Sequence, residues 1–364
     1  MFEIVFLVAV CGCFLEAVIC LIGAKAKFKK VDKSEVLSAT VIVAARDEED
    51  NIERCLKSLD LIEYPDSLLE IIIVDDRSTD KTGEIIDNFI QDKPKFKKIV
   101  TKKEIGRLRG KTNALANAIE IAKGEVIFTT DADCTVLPTW VKSTVKYYAE
   151  DVAAVNGYTT QEAYNSYSGM QALDFIYLLT LAAGTINLGA PISCMGNNMS
   201  FLKKAYFEVG GYQNLPFSVT EDFNLLYAIY KLKKYKIILP LNPESLVTSV
   251  PVPDYKTLAK QKKRWGVGGL SVPARGYIIF VLGYLSALGV LATPLFYNSF
   301  TWIIIALFKI LIDFMVVVLI NNRLGMRSKV KYFPAFELYF LIYAFLLPFL
   351  VFFNQKVQWK GREY

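Results

Sequence analysis

The 364-residue chain is 53% hydrophobic, has a mean hydropathy of +0.31, and carries 42 basic against 36 acidic side chains, a net charge of +6. That apolar content is high for a fully soluble protein, and without a basic helix, zinc-finger spacing or an aromatic-and-basic ribonucleoprotein signature, nucleic acid is excluded as a partner. Histidine is absent, so any catalysis must rest on carboxylates, lysine, arginine or a metal held by oxygen ligands.

Residues 1–22 are nearly all apolar, with only Glu3 and Glu16 charged. Roughly 20 residues at 1.5 Å rise span a bilayer core, so 1–23 reads as a transmembrane helix. No basic segment precedes it and no small-x-small site precedes Lys25, which favours a span over a cleaved leader. Lys25, Lys27, Lys29, Lys30 and Lys33 follow it, placing that side in the cytoplasm. Six cysteines show no paired spacing and read as small apolar residues in a reducing compartment.

From 36 to 250 the pattern alternates strand and helix. Strands are expected over 39–44, 70–74, 98–100 and 125–129, and helices over 49–59, 82–89 and 112–121. Continuous apolar strands alternating with helices predict an α/β fold with a parallel sheet covered on both faces. Ligands in such sheets bind at the carboxyl ends of strands. Gln171, Asp174 and Asn187 interrupt an apolar stretch over 171–191, which suits a helix lying at the bilayer surface.

Residues 251–275 mix basic and apolar side chains as an interfacial segment. Three spans are expected within 276–355, at about 277–295, 301–320 and 334–353, before a basic tail over 356–364. Arg323, Arg327, Lys329 and Lys331 put the loop between the last two spans on the inside. The basic tail would then fall outside, so a re-entrant or interfacial element in place of one span stays open. Lys309 and Asp313, at i,i+4 inside an apolar run, read as a paired helix contact. These readings place a multi-pass protein in the cell (plasma or inner) membrane with a cytoplasmic catalytic domain.

The expected strand ends carry aspartates. Val74 leads into Asp75-Asp76-Arg77-Ser78-Thr79-Asp80, and Thr130 into Asp131-Ala132-Asp133. Asp-x-Asp after a buried strand suits Mg²⁺ or Mn²⁺ shared between carboxylate oxygens and a substrate diphosphate. Taken singly, such clusters are also common as solvated turns and helix caps.

In this order and on this alternation, the segments resemble glycosyltransferase family 2 over about 38–265, which implies a GT-A (Rossmann-like) domain beside the transmembrane helices. The stretch VIVAARDEEDN over 41–51 is similar to the family's first strand and nucleotide-binding turn, implying Ala44, Arg46 and Glu48 near the base and ribose. VDDRSTD over 74–80 looks like its second nucleotide contact, with Asp76 and its neighbour Asp75. GKTNAL over 110–115 resembles the segment on the diphosphate side, with Lys111 as the positive charge. The family's Asp-x-Asp falls on Asp131, implied to support the nucleotide sugar and the metal, and on Asp133, implied to ligate the metal. SVTEDFN over 218–224 resembles the motif whose aspartate, here Asp222 with Glu221 beside it, deprotonates the acceptor hydroxyl. Gln261-Lys262-Lys263-Arg264-Trp265 fits Gln-x-x-Arg-Trp. Gln261 and Arg264 are implied at the pyrophosphate, where a guanidinium fork suits the chemistry, and Trp265 at a sugar ring. Asn197 and Asn198 fall in the segment that resembles the acceptor loop.

The resemblance implies an inverting, metal-dependent hexosyltransferase that moves a sugar from a nucleotide diphosphate sugar, most often a UDP-sugar, to a membrane-associated acceptor. The ending QWKGREY over 358–364 is similar to that of lipid-directed members resembling ceramide glucosyltransferase, which points to a glycolipid product. A processive polysaccharide synthase resembling cellulose and hyaluronan synthases is the alternative. A membrane nucleotide-sugar-binding or transport protein is the non-enzymatic one.

Overall fold

The computed structural model describes residues 1–31, 37–101, 104–149, 151–216 and 218–352, with the backbone of 358–359 and 362–363. Lys33, the domain boundary expected at residue 36 and the side chains of the 358–364 ending lie outside the described residues.

Two compact units are present. A sheet unit comprises Lys27–Thr159 and Cys194–Val250, and a helical unit comprises Met1–Ala26, Thr160–Ser193 and Pro251–Tyr364. Within the 36–250 range expected for the catalytic domain, Thr160–Ser193 groups with the helices.

Helix α1 (Phe2–Ala24) comes first. The sheet unit then runs β1 (Ala39–Ala45), α2 (Ile52–Asp60), β2 (Leu69–Asp75), α3 (Thr82–Ile90), β3 (Phe96–Val100), α4 (Gly110–Ile121), β4 (Val126–Asp131), β5 (Cys134–Val136), α5 (Trp140–Val145) and β6 (Val152–Asn156). Strand β7 (Thr159–Gln161) leads to α6 (Ser166–Asn187) of the helical unit. The chain re-enters the sheet unit with β8 (Met199–Leu202), α7 (Lys203–Glu208), α8 (Glu221–Lys231), β9 (Lys236–Ile238) and β10 (Val247–Ser249).

The main sheet has the order β3-β2-β1-β4-β8-β6-β9. Strands β1 to β4 pair in parallel, β8 runs antiparallel to β4 and β6, and β9 is parallel to β6. Val41, Ile42, Val43, Ile71, Ile72, Ile73, Val126, Ile127 and Phe128 are fully buried, as strands covered on both faces require. The parallel register sets Ala45 beside Asp75 and Ala44 beside Asp131. The carboxyl ends of β1, β2 and β4 therefore finish level, which makes one shelf of three strand ends.

The helical unit continues with α9 (Tyr255–Gly268), α10 (Ala274–Leu291), α11 (Phe300–Arg323) and α12 (Phe333–Phe352), then short strands β11 (Gln358–Trp359) and β12 (Arg362–Glu363). Among the described residues five helical stretches are long and apolar enough to cross a membrane: α1, α6, α10, α11, and α12 with the turn before it. The three expected over 276–355 are among them.

Helix α6 departs from expectation. It does not lie on a surface with one wet face; most of it is buried in the helical unit, packed against α1, α11 and α12. Several of its polar residues find partners inside the protein. Gln171 exchanges two hydrogen bonds with the Val252 backbone (3.0 and 3.2 Å), Thr180 donates to the Ile176 carbonyl, and Tyr177 donates to Asp313 Oδ1 at 2.7 Å. Polar atoms without water must find protein partners, so these residues join helices together. Lys309 pairs with Asp313 as the i,i+4 spacing predicts, both fully enclosed. Helices α1 and α6 cross backbone to backbone at Gly23 and Gly184, where a Cβ on Gly184 would meet Cys20 Cα at 2.3 Å.

Candidate active site

The turns at the ends of β1 and β2 are tied to each other. Arg46 Nη1 donates to the Asp76 carbonyl at 3.1 Å and lies 3.9 Å from its carboxylate. Asp47 Oδ1 accepts from the Thr79 amide at 2.7 Å, and the Glu48 amide donates to Thr82 Oγ1 at 2.7 Å. Asp80 accepts from the amides of Glu49 and Thr82. Asp47 (φ 50°) and Arg77 (φ 60°) both take left-handed backbone, a conformation that costs a non-glycine residue about 1–2 kcal/mol. Such strain persists where the surroundings over-determine it, often at functional turns. Asp75 and Asp76 are buried, with Asp75 Oδ1 accepting from the Ser78 amide at 2.9 Å.

At the end of β4, Lys111 Nζ lies 2.6 Å from Asp131 Oδ1 and 3.3 Å from Glu221 Oε1. Lys111 enters from the first turn of α4, and Glu221 from the first turn of α8. Burial works to lower the Lys111 pKa, but Asp131 and Glu221 outweigh it and hold the ammonium above its usual range. The lysine is therefore a fixed positive charge between two acidic motifs. Asp222, next to Glu221, accepts from the Phe223 amide at 2.8 Å. A Cβ on Gly196 would come within 2.9 Å of Asp222 Cβ, so only glycine lets that loop lie against the carboxylate. Thr129 Oγ1 anchors the same loop through the Gly196 carbonyl at 2.8 Å.

Asp133 tests the fit of a divalent cation. Burial first, then the charge of Asp131 and Glu48, pushes its carboxyl up to about 6. Lys111 offsets this only in part, and a hard cation held with Asp131 would offset the rest. Among the described residues no three His, Cys, Asp or Glu side chains converge as a complete ligand set. Arg54, from α2, donates to the Asp133 carbonyl at 2.7 Å, and Ser249 Oγ lies 3.4 Å from its Oδ2. Neither contact was foreseen from the sequence, since both partners are distant in the chain and neither sits in a recognisable motif.

The two asparagines expected in the acceptor loop are both buried. Asn198 is buried, and its side chain is committed to protein: Oδ1 accepts from Trp140 Nε1 at 2.9 Å, and Nδ2 donates to the Tyr158 and Ser245 carbonyls. Both amide protons are used, so Asn198 stitches the fold. Asn197 is also buried and accepts from Thr159 Oγ1 at 2.9 Å.

Gln261, Arg264 and Trp265 lie on α9 of the helical unit, whereas the other expected residues belong to the sheet unit. Their i, i+3, i+4 spacing sets them on one helix face. Asp254 caps the helix by accepting from the Thr257 amide at 2.9 Å. Gln261 Oε1 is buried without a protein hydrogen-bond partner. The Trp265 ring packs edge-on against Phe175 with centroids 5.3 Å apart.

Comparison with known proteins agrees with this geometry. The profile of "Glycosyl transferase family 2" matches residues 40–210, and that of "Glycosyl transferase family group 2" matches residues 126–354, well over half of the chain. A beta-monoglucosyldiacylglycerol synthase of Synechocystis sp. is 28% identical over 63% of this chain and 47% of its own length. A poly-beta-1,6-N-acetyl-D-glucosamine synthase of Staphylococcus epidermidis is 26% identical over 68% of this chain and 58% of its own. The chain spans about half the length of the curated relatives it matches. A mannosyltransferase of Pyrobaculum calidifontis, solved with GDP-Man and Mn²⁺, shares the fold with a TM-score of 0.61 at 19% identity, over 94% of this chain and 99% of that one. The sheet, its aspartate-bearing strand ends and the extent of the profile match lead to one conclusion: the chain belongs to glycosyltransferase family 2, with a GT-A fold and apolar helices long enough to span a membrane.

Proposed function

We propose that this chain is a membrane-bound inverting glycosyltransferase that moves a sugar from a nucleotide diphosphate sugar to the hydroxyl of a lipid acceptor. The observation that carries the reading is the position of Lys111 between Asp131 and Glu221, which gathers three of the expected motifs around one charge.

In this reading the turns carrying Ala44, Arg46, Glu48, Asp75 and Asp76 hold the nucleoside, a UDP moiety by resemblance. Asp131 and Asp133 hold Mg²⁺ or Mn²⁺. When bound, that cation offsets charge developing on the departing diphosphate. Lys111 neutralises the same region from the protein side, and Gln261 and Arg264 bind the pyrophosphate. Asp222 takes the proton of the acceptor hydroxyl, whose oxygen attacks the anomeric carbon opposite the leaving diphosphate. Glu221, tethered by Lys111, fixes the start of α8 and so the direction of Asp222. Trp265 offers its ring face to the acceptor.

A lipid acceptor is supported by the five apolar helices and by the diacylglycerol in the first relative's name. The second relative's name favours a polymer product as the competing reading. Membranes containing the protein, incubated with Mn²⁺, dioleoylglycerol and a panel of radiolabelled nucleotide sugars, should yield label in the organic extract. Asp222→Asn should abolish it. Label confined to a high-mass aqueous product would overturn the lipid acceptor, metal-independent turnover would overturn the role given to the cation, and absent turnover would overturn the enzyme.

A further inference from the structure

Within the Gln-x-x-Arg-Trp segment one variable position is built into the helical unit. Lys262 is 2% exposed and forms an ion pair with Asp174 of α6, itself 1% exposed. The ammonium is enclosed by aromatic rings: it lies 4.0 Å from the Trp265 centroid, 5.4 Å from that of Tyr343 on α12, and 5.9 Å from that of Phe175. Lys262 and Trp265 are three residues apart and so are neighbours on α9. Phe175, the residue after Asp174, packs edge-on against Trp265. Asp174 Oδ1 is left without a hydrogen-bond partner.

Packing alone does not call for this arrangement. Burying a lysine and an aspartate among aromatics is expensive, and apolar residues of similar volume often hold helices together as well. What the charge adds is directional. An ammonium is attracted to the face of an indole ring, and the effect grows when water is excluded. The cation therefore selects one orientation of the Trp265 ring, and Asp174 holds it in place and opposes the burial that draws the Lys262 pKa downward.

We propose that Lys262, held by Asp174, is a positioning residue that fixes the Trp265 ring for acceptor binding. The inference rests on the reading of Trp265 as the acceptor surface. Four predictions separate it from a purely structural role, using the full-length protein in detergent micelles with dioleoylglycerol as acceptor and the donor that labels it. Lys262→Met raises the apparent acceptor KM about tenfold or more and leaves the donor KM within threefold. Lys262→Arg, which retains a cation over the ring, keeps the acceptor KM within threefold of the unaltered protein. The double variant Asp174→Leu/Lys262→Met contains no buried charge, recovers the thermal stability lost by the single change, and still shows the raised acceptor KM. Trp265→Phe raises the acceptor KM, and adding Lys262→Met to it has little further effect. An acceptor KM restored in the double variant, or Lys262→Arg as impaired as Lys262→Met, overturns the proposal while leaving the transferase reading intact. An unaltered protein that never labels dioleoylglycerol overturns the lipid-acceptor reading, and this inference with it.

Discussion

Lys111 Nζ and Asp131 Oδ1 are 2.6 Å apart, joining the first turn of α4 to the end of β4. In the proposed function this contact sets a cation beside the donor's diphosphate. Lys111→Met should lower kcat/KM for the donor by about 10²–10³-fold, the usual scale for removing one preorganised charge. Lys111→Arg should recover part of that loss. Initial rates of label transfer at several donor concentrations check both.

Asp80 joins two turns by accepting from the amides of Glu49 and Thr82. Slight burial acts to raise its pKa, but these hydrogen bonds outweigh it and hold the carboxyl below its ordinary range. A depressed folded-state pKa contributes stability above the unfolded value of about 3.9, lost as pH falls through the folded one. Asp80→Ala should therefore cost about 1 kcal/mol at pH 7. The difference should fade once the pH drops below about 3.9. Thermal unfolding of both proteins at pH 7 and at pH 3 measures it.

Asn198→Ala should act on stability and not on acceptor affinity. It strands Trp140 Nε1 and the carbonyls of Tyr158 and Ser245, at a cost of about 1–3 kcal/mol for each buried group left unpaired. A lowered melting temperature with an unchanged acceptor KM in the surviving folded fraction is the expected result. A raised KM at unchanged stability would return Asn198 to the acceptor site.

The crossing of α1 and α6 gives a contrast between two glycines. Gly184→Ala drives a methyl toward the Cys20 backbone and should cost about 1–3 kcal/mol through overpacking. Gly283→Ala on α10 meets nothing within 4 Å and should be neutral or slightly stabilising. Detergent melting curves of the two variants make the comparison.

Local signals carried much of the architecture. The β-branched runs that became β1, β2 and β4 read as buried strands because burial on both faces leaves no polar alternation. Lys309 and Asp313 were legible as a pair because helical spacing alone makes them neighbours. Helix α6 was misread for the converse reason. Gln171 and Asp174 look like a wet face until their partners appear, at Val252 and Lys262, 81 and 88 residues further along the chain. Asn198 posed the same difficulty at one residue. A motif position shows that an amide is placed there, but only the tertiary hydrogen bonds tell whether it faces a ligand or Trp140. Arg54 carries no signal, since an arginine on an amphipathic helix is ordinary until Asp133 is found beside it.

Strand β8 sits between β4 and β6 and pairs with both, yet it follows both in the chain and follows α6 as well. As the polypeptide leaves the ribosome, β4 and β6 are made with no strand to bridge them. The 22 apolar-rich residues of α6 emerge next, before Met199–Leu202 can close the gap. Until then β4 offers an unpaired edge, the kind of surface that recruits foreign strands. The sheet that carries the aspartates can thus be completed only after α6 has been made, so synthesis exposes a half-built sheet while an apolar helix is also newly exposed.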